Sequence, residues 1–219
     1  MFGFFSRKPH QDRFFIKEGY RINRSNAKVR HSKIDPMRYQ RDVYIYAAEA
    51  IKSMGANRVA DVGCGTGDKL VHYVAPVTNQ FVGVNQESTI SVCKKTHQVG
   101  EWYAEDLEKP RLHLQPFDLI ISADVIEHLR NPDHLIEWMR RHAHCETEVI
   151  LSTPDRDLRR GPESMGPPEN RAHVREWNRS EFADYLRDRG LKILNHQIVD
   201  LCEGMKTCQL VHGSFSSGN

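Results

Sequence analysis

The sequence predicts an α/β fold in which a doubly wound, mostly parallel sheet carries helices on both faces. Three observations lead there. From Arg58 onward, short β-branched or apolar runs alternate with longer segments of helical spacing, the pattern of βαβ units. One apolar strand runs into three closely spaced glycines and then a helix. The 219 residues, 39% hydrophobic and 27% charged, make one domain. At this size a chain buries roughly 70% of its unfolded surface, with no need of disulfides or a structural metal.

Taken in order, Met37–Met54 has helical spacing and precedes the alternating region. The strand Arg58–Val62 feeds the glycine turn and a helix over Gly67–Val74. Gln80–Val84 is the second strand, Glu87–Thr96 the next helix, and Glu101–Ala104 the third strand. Phe117–Ser122 is an almost unbroken apolar run, as expected of a central strand. Asn131-Pro132 supplies a cap and a first-turn proline for a helix over Pro132–His142. After a strand at Glu148–Ser152, Asn178 and Ser180 precede Glu181 and open a helix, Ser180–Arg189, that stops at Gly190. Lys192–Val199 and Lys206–His212 complete seven strands. Between Thr153 and Trp177, Gly161, Pro162, Gly166, Pro167 and Pro168 break any regular element, and a loop of that length points to a lid or binding loop.

Charge is distributed unevenly. Residues 1–35 hold nine Lys/Arg against three Asp/Glu, net +6, while the other 184 carry 22 against 26, net −4. Five scattered cysteines without a CxxC pair favour reduced thiols. No apolar run reaches the ~18 residues of a membrane span, and the start of the chain does not read as a secretory signal. The expectation is a cytoplasmic protein. The basic amino terminus, with Phe2, Phe4, Phe5, Phe14 and Phe15, would touch an anionic membrane or cap the active site, or else form a partly ordered extension.

The sharpest local signal is Val59-Ala60-Asp61-Val62-Gly63-Cys64-Gly65-Thr66-Gly67. Its spacing is GxGxG rather than the GxGxxG of a pyrophosphate site. Asp61, two residues before the first glycine, would repel a pyrophosphate but pair with an ammonium group. This stretch resembles the first motif of the class I, Rossmann-like S-adenosylmethionine-dependent methyltransferases. Three further matches follow in order: Asn85 and Gln86 after the second strand, Asp106 and Leu107 after the third, and the segment Phe117-Asp118 through Val125-Ile126-Glu127-His128-Leu129. The resemblance implies S-adenosylmethionine as cofactor and S-adenosylhomocysteine as product. It also implies cofactor contacts at Asp61, Gly63, Cys64, Gly65, Gly67, Asn85, Gln86, Asp106, Leu107 and Ala123. Asn85 stands where the family places a carboxylate on the ribose, so either ribose binding is weaker or Gln86 or Glu87 shares that role.

Acceptor chemistry is expected at the carboxyl ends of the fourth and fifth strands. His128, His173 and Asp155 are the catalytic candidates, the histidines because they titrate near neutrality. The competing readings are that His128 packs under the cofactor pocket and that His173 anchors its loop; in its active role His173 would fold over an acceptor with Arg175 and Trp177. Asp124, His128, Asp155, Asp157 and His173 could surround a magnesium ion, although the preferred reading carries no metal. His142 and His144 are read as a solvated helix end.

Arginines in the loop suit phosphate or carboxylate on the acceptor, or pair with glutamates of the same loop. The loop pattern resembles methyltransferases of bacterial glycan and secondary-metabolite pathways. The expected function is O-methylation of a sugar hydroxyl of a glycan, nucleotide sugar or glycosylated metabolite. The alternatives are N- or carboxyl-methylation of a small metabolite, or a degenerate cofactor-binding module; nucleic acid is a minor option, and the oligomeric state is left open. The expected organisation is a basic extension over 1–36, a methyltransferase domain over 37–212 with its substrate loop at 153–177, and a tail over 213–219.

Overall fold

The computed structural model describes residues 12–25 and 37–215. Seven strands form one sheet: β1 (Arg58–Val62), β2 (Gln80–Asn85), β3 (Glu101–Ala104), β4 (Phe117–Ala123), β5 (Ala143–Pro154), β6 (Leu191–Val199) and β7 (Cys208–Phe215). Their order is β3-β2-β1-β4-β5-β7-β6. The first five run parallel, and β7 is antiparallel to both β5 and β6. The sheet is therefore mixed by one carboxyl-terminal hairpin. Chain order reverses between β1 and β4, and the crevice outside their carboxyl ends is where a doubly wound sheet binds its ligand.

Central strands are buried on both faces: every residue of β4 except Asp118 is inside. Two apolar cores, one on each face of the sheet, account for this. The helices are α1 (Arg41–Met54), α2 (Glu87–Thr96), α3 (Asp133–Arg141), α4 (Arg156–Arg160) and α5 (Arg179–Asp188). A capping box opens α5: Asn178 accepts from the Glu181 N–H while Glu181 accepts from the Asn178 N–H.

Several expectations shift. The stretch after the glycine turn is a π-helical turn over Leu70–Val74. The region read as an irregular loop contains α4, capped by Asp155 accepting from the Leu158 N–H at 3.0 Å. β7 continues to Phe215, into the expected tail. His142 is not solvated; it is buried, with Nδ1 2.8 Å from the Trp138 carbonyl and its ring against that indole. His144 is exposed and faces Asp118 at 3.0 Å.

Residues 12–25 run over the segment that follows β5. Trp177 Nε1 donates to the Phe14 carbonyl at 2.8 Å, the Glu176 N–H donates to Tyr20 Oη at 3.2 Å, and Ser25 Oγ donates to the Arg171 carbonyl at 2.7 Å. Phe14 and Phe15 belong to this packing, not to an exposed surface: Phe15 is buried, and the Arg175 guanidinium sits 4.5 Å over the Phe14 ring. Phe2, Phe4, Phe5 and most of the basic extension lie outside the described residues.

Candidate active site

A cavity of about 470 Å³ opens at the carboxyl ends of β1, β2 and β4. Gly63 and Gly65 form its floor, Asn85, Gln86, Asp106 and Leu107 one wall, and Asp124, Val125 and His128 the other. Both floor glycines have positive φ, +89° at Gly63 and +57° at Gly65. A Cβ at Gly63 would stand 2.2 Å from Val125 Cγ2, whereas one at Gly65 would meet no atom within 4 Å and project into open space. The floor is bare backbone because the turn requires left-handed residues there, because Val125 fills the space beside Gly63, and because the open space over Gly65 suits close approach of a ligand.

Behind this floor lies Asp61, fully buried and absent from the cavity lining. Tyr44 Oη of α1 donates to its Oδ2 at 2.8 Å, and Oδ1 has no hydrogen-bond partner. Burial pushes the Asp61 carboxyl up to about 6, against the lowering effects of Tyr44 and Lys69. A desolvated carboxylate with an unsatisfied oxygen favours a cation nearby, which suits the ammonium group of S-adenosylmethionine. Asn85 lines the cavity, and its Oδ1 accepts from the Gln86 N–H at 2.7 Å. Asp106 Oδ1 accepts from the Glu108 N–H at 3.0 Å.

The structure does not bring all the expected contacts to the cavity. Cys64 turns inward, towards Gly83 and away from the ligand space. Gly67 faces the Trp102 indole, where a Cβ would lie 2.4 Å from the ring. Ala123 is buried at the end of β4, outside the lining. Asp155 is the cap of α4 and does not line the cavity either. Arg175 and Trp177 are buried: Arg175 donates to the carbonyls of Leu129 and Arg130, both at 2.8 Å, and Trp177 packs on Phe182 and Tyr185. Neither side chain is placed to fold over an acceptor.

Of the five residues considered for a cation, Asp155 and Asp157 serve α4 and its neighbours, Asp157 accepting from Arg156 and Asn178. His128 and His173 do come together, rings at 4.7 Å in an edge-to-face arrangement. His128 Nδ1 lies 2.9 Å from the Ala172 carbonyl, and His173 Nδ1 lies 2.7 Å from Glu176 Oε1. Burial, helped by the nearby His173, lowers His128 to about 4, so its ring is neutral at physiological pH. Glu127, fully buried beside them, has its carboxyl raised well above the usual range by burial and by Asp124.

Sequence reading missed Ser25, which reaches the cavity from the amino-terminal segment, and Arg130, Ala172 and Val174 at its outer rim. It also missed the conformation of Asp124. This residue has φ +53° at the end of β4, fixed by its N–H donating to the Ser152 carbonyl and by Ser152 Oγ donating to its Oδ1 at 2.7 Å. A left-handed aspartate at a strand end turns the chain into the short 3₁₀ segment Ile126–His128 and so aims His128 at the cavity.

The fold and the cofactor crevice define a Rossmann-like S-adenosylmethionine-dependent methyltransferase. The chain belongs to the methyltransferase domain family, whose model matches residues 35–196. Over 124 residues, 51% of this chain, it is 32% identical to ajmaline N-methyltransferase of Rauvolfia serpentina, and the match spans 41% of that curated relative's length. Its fold resembles a methyltransferase from Clostridium acetobutylicum (TM-score 0.64, 13% identity, 84% of this chain and 94% of that one). It also resembles magnesium protoporphyrin IX methyltransferase of Synechocystis PCC 6803 with S-adenosylhomocysteine bound (TM-score 0.61, 15% identity, 80% and 83%). Among the described residues, no helix is long and apolar enough to cross a membrane.

Proposed function

We propose that the protein O-methylates a sugar hydroxyl of a glycan, nucleotide sugar or glycosylated metabolite, in the cytoplasm. The observation that carries this reading is the outer end of the cavity, where the neutral His128 imidazole stands with Arg130, Asp124 and Ser25. These side chains offer hydrogen-bond partners to a polyol, beside an apolar side formed by Val125, Leu129 and Val174. When bound, S-adenosylmethionine would supply a methyl group on a sulfonium sulfur; the S–C bond would break as the O–C bond forms, leaving S-adenosylhomocysteine, and the hydroxyl proton would pass to solvent at the open end of the cavity. Gly63 and Gly65 give the cofactor close backbone approach, Asp61 offsets its ammonium charge from behind the loop, and Asn85 and Gln86 face its ribose. His128 orients the acceptor hydroxyl. The segment 153–177 and residues 12–25 together shape acceptor choice, with an anionic group on the acceptor attracted by exposed Arg159 and Arg171. Arg156 and Arg160 are committed to Glu181 and Glu176, so they recognise nothing outside the fold.

The kinship with an N-methyltransferase supports a second reading, methylation of an amine. Labelled-methyl transfer to a panel of nucleotide sugars, free glycans, amines and carboxylic acids separates the two. Label on a sugar hydroxyl, lost in His128→Ala, is the expected result. Label only on nitrogen or carboxylate would overturn O-methylation, and S-adenosylhomocysteine binding without transfer to any acceptor would favour a degenerate module.

A further inference from the structure

Three ligand-type atoms converge behind the cavity wall. Glu127, His128 and His173 each offer one ligand atom, and these lie within 4.8 Å of one another. Each is prepared by its neighbours. Glu127 Oε2 accepts from Thr153 Oγ1 at 3.0 Å, while Oε1, on a fully buried side chain, has no hydrogen-bond partner. The Ala172 carbonyl can only accept, so His128 Nδ1 donates to it and Nε2 is the ring nitrogen left for an ion. The Glu176 carboxylate, itself held by Arg160 at 2.9 Å, likewise accepts from His173 Nδ1. A carbonyl or carboxylate behind each imidazole is the support that ligating histidines have in metalloproteins.

Hydrogen bonding within the cluster does not satisfy it. Both Nε2 atoms stand 3.9 Å from Glu127 Oε1, beyond hydrogen-bond reach. Metal–ligand bonds of about 2.0–2.2 Å put the ligand atoms of a tetrahedral site about 3.3 Å apart, so small side-chain rotations close the set on an ion. A buried carboxylate with an empty oxygen is costly unless a cation meets it. Two imidazoles favour a borderline ion such as Zn²⁺ or Co²⁺ over Mg²⁺, which prefers oxygen, with the harder Mn²⁺ between them.

We propose that Glu127, His128 and His173 bind one divalent transition-metal ion, with its remaining positions turned to the cavity that His128 lines, where water or an acceptor hydroxyl completes the shell. The use of this ion, acidifying a hydroxyl that His128 then orients through the ion, rests on the O-methylation reading; its binding does not.

The test uses the full chain, without an affinity tag, stripped with EDTA and re-equilibrated. Calorimetry with ZnCl₂ and MnCl₂, and the visible absorption of added Co²⁺, should give one ion per chain, with a rise in Tm on binding. Glu127→Gln and His173→Gln should abolish that stoichiometric ion. Glu176→Gln, which keeps all three ligands, should retain it at about ten- to a hundredfold weaker affinity. Failure of the wild type to bind any of the three ions, or equal binding by wild type and both ligand variants, overturns the proposal. An ion bound without transfer to any hydroxyl acceptor sinks the O-methylation reading and leaves this one standing; hydroxyl methylation by a chain that binds no ion does the reverse.

Discussion

Replacing Asp61 by asparagine should make the empty protein more stable and the liganded one weaker. A carboxyl lifted from 3.8 to about 6 by burial penalises the folded state once ionised. At 1.36 kcal/mol per pH unit this is about 3 kcal/mol at pH 8. The sign follows from the direction of the shift: below pH 4 the group is neutral in both states, between 4 and 6 only the unfolded chain ionises, and above 6 the full cost is present. Stability therefore falls as pH rises through that window. The substituted amide would keep an oxygen for the Tyr44 hydroxyl but bury an N–H donor, costing about 1 kcal/mol or more. A gain of roughly 1–2 kcal/mol remains at pH 8, a Tm increase of about 2–8 °C for a chain of this size. It should vanish at pH 4. S-adenosylhomocysteine, which also carries an ammonium group, should bind about tenfold more weakly, a change of about 1.4 kcal/mol. Thermal unfolding of the empty protein at both pH values and calorimetry with the product test this. A variant less stable than wild type at pH 8, or unchanged product affinity, would refute the reasoning.

Two further substitutions probe other parts of the molecule. Arg156→Ala leaves Glu181 buried without the guanidinium that grips it at 2.6 and 3.1 Å. It should cost about 3–5 kcal/mol, read as a lower urea midpoint with unchanged slope; a shift below about 1 kcal/mol would mean water replaces the pair. Asn85→Asp restores a carboxylate at the end of β2, so product affinity measured by calorimetry should improve by about three- to tenfold; equal or weaker affinity would remove Asn85 from the ribose site.

The cofactor half of the molecule was legible because its signals are local. Central strands such as Phe117–Ala123 are buried on both faces and read as continuous apolar runs, and a glycine whose Cβ would strike Val125 is visible as a glycine before any partner is known. The start of β5 was missed since residues 144–146 are exposed and polar. The short helix α4 hides in a proline- and glycine-rich stretch, held by the Asp155 cap and by pairs to the distant Glu176, Asn178 and Glu181. Arg175 and Trp177 were misread for a different reason: loops are normally outside, and no local pattern reveals that residues 12–25 cover this one. The meeting of Glu127 with His173 depends on two distant segments, brought together by the Val174 N–H donating to the Glu127 carbonyl at 2.7 Å.

That covering strip bears on how such enzymes could be re-engineered. The stretch from Arg171 to Trp177 gets its shape from Phe14, Tyr20 and Ser25, which hold it by an indole N–H, a backbone N–H and a carbonyl. A loop moved alone into a related scaffold would arrive without its clamp, leaving the Trp177 N–H and the Arg171 carbonyl to find new partners. On the proposed role of this loop, acceptor preference is a two-piece module, and chimaeras should exchange the opening residues together with the loop.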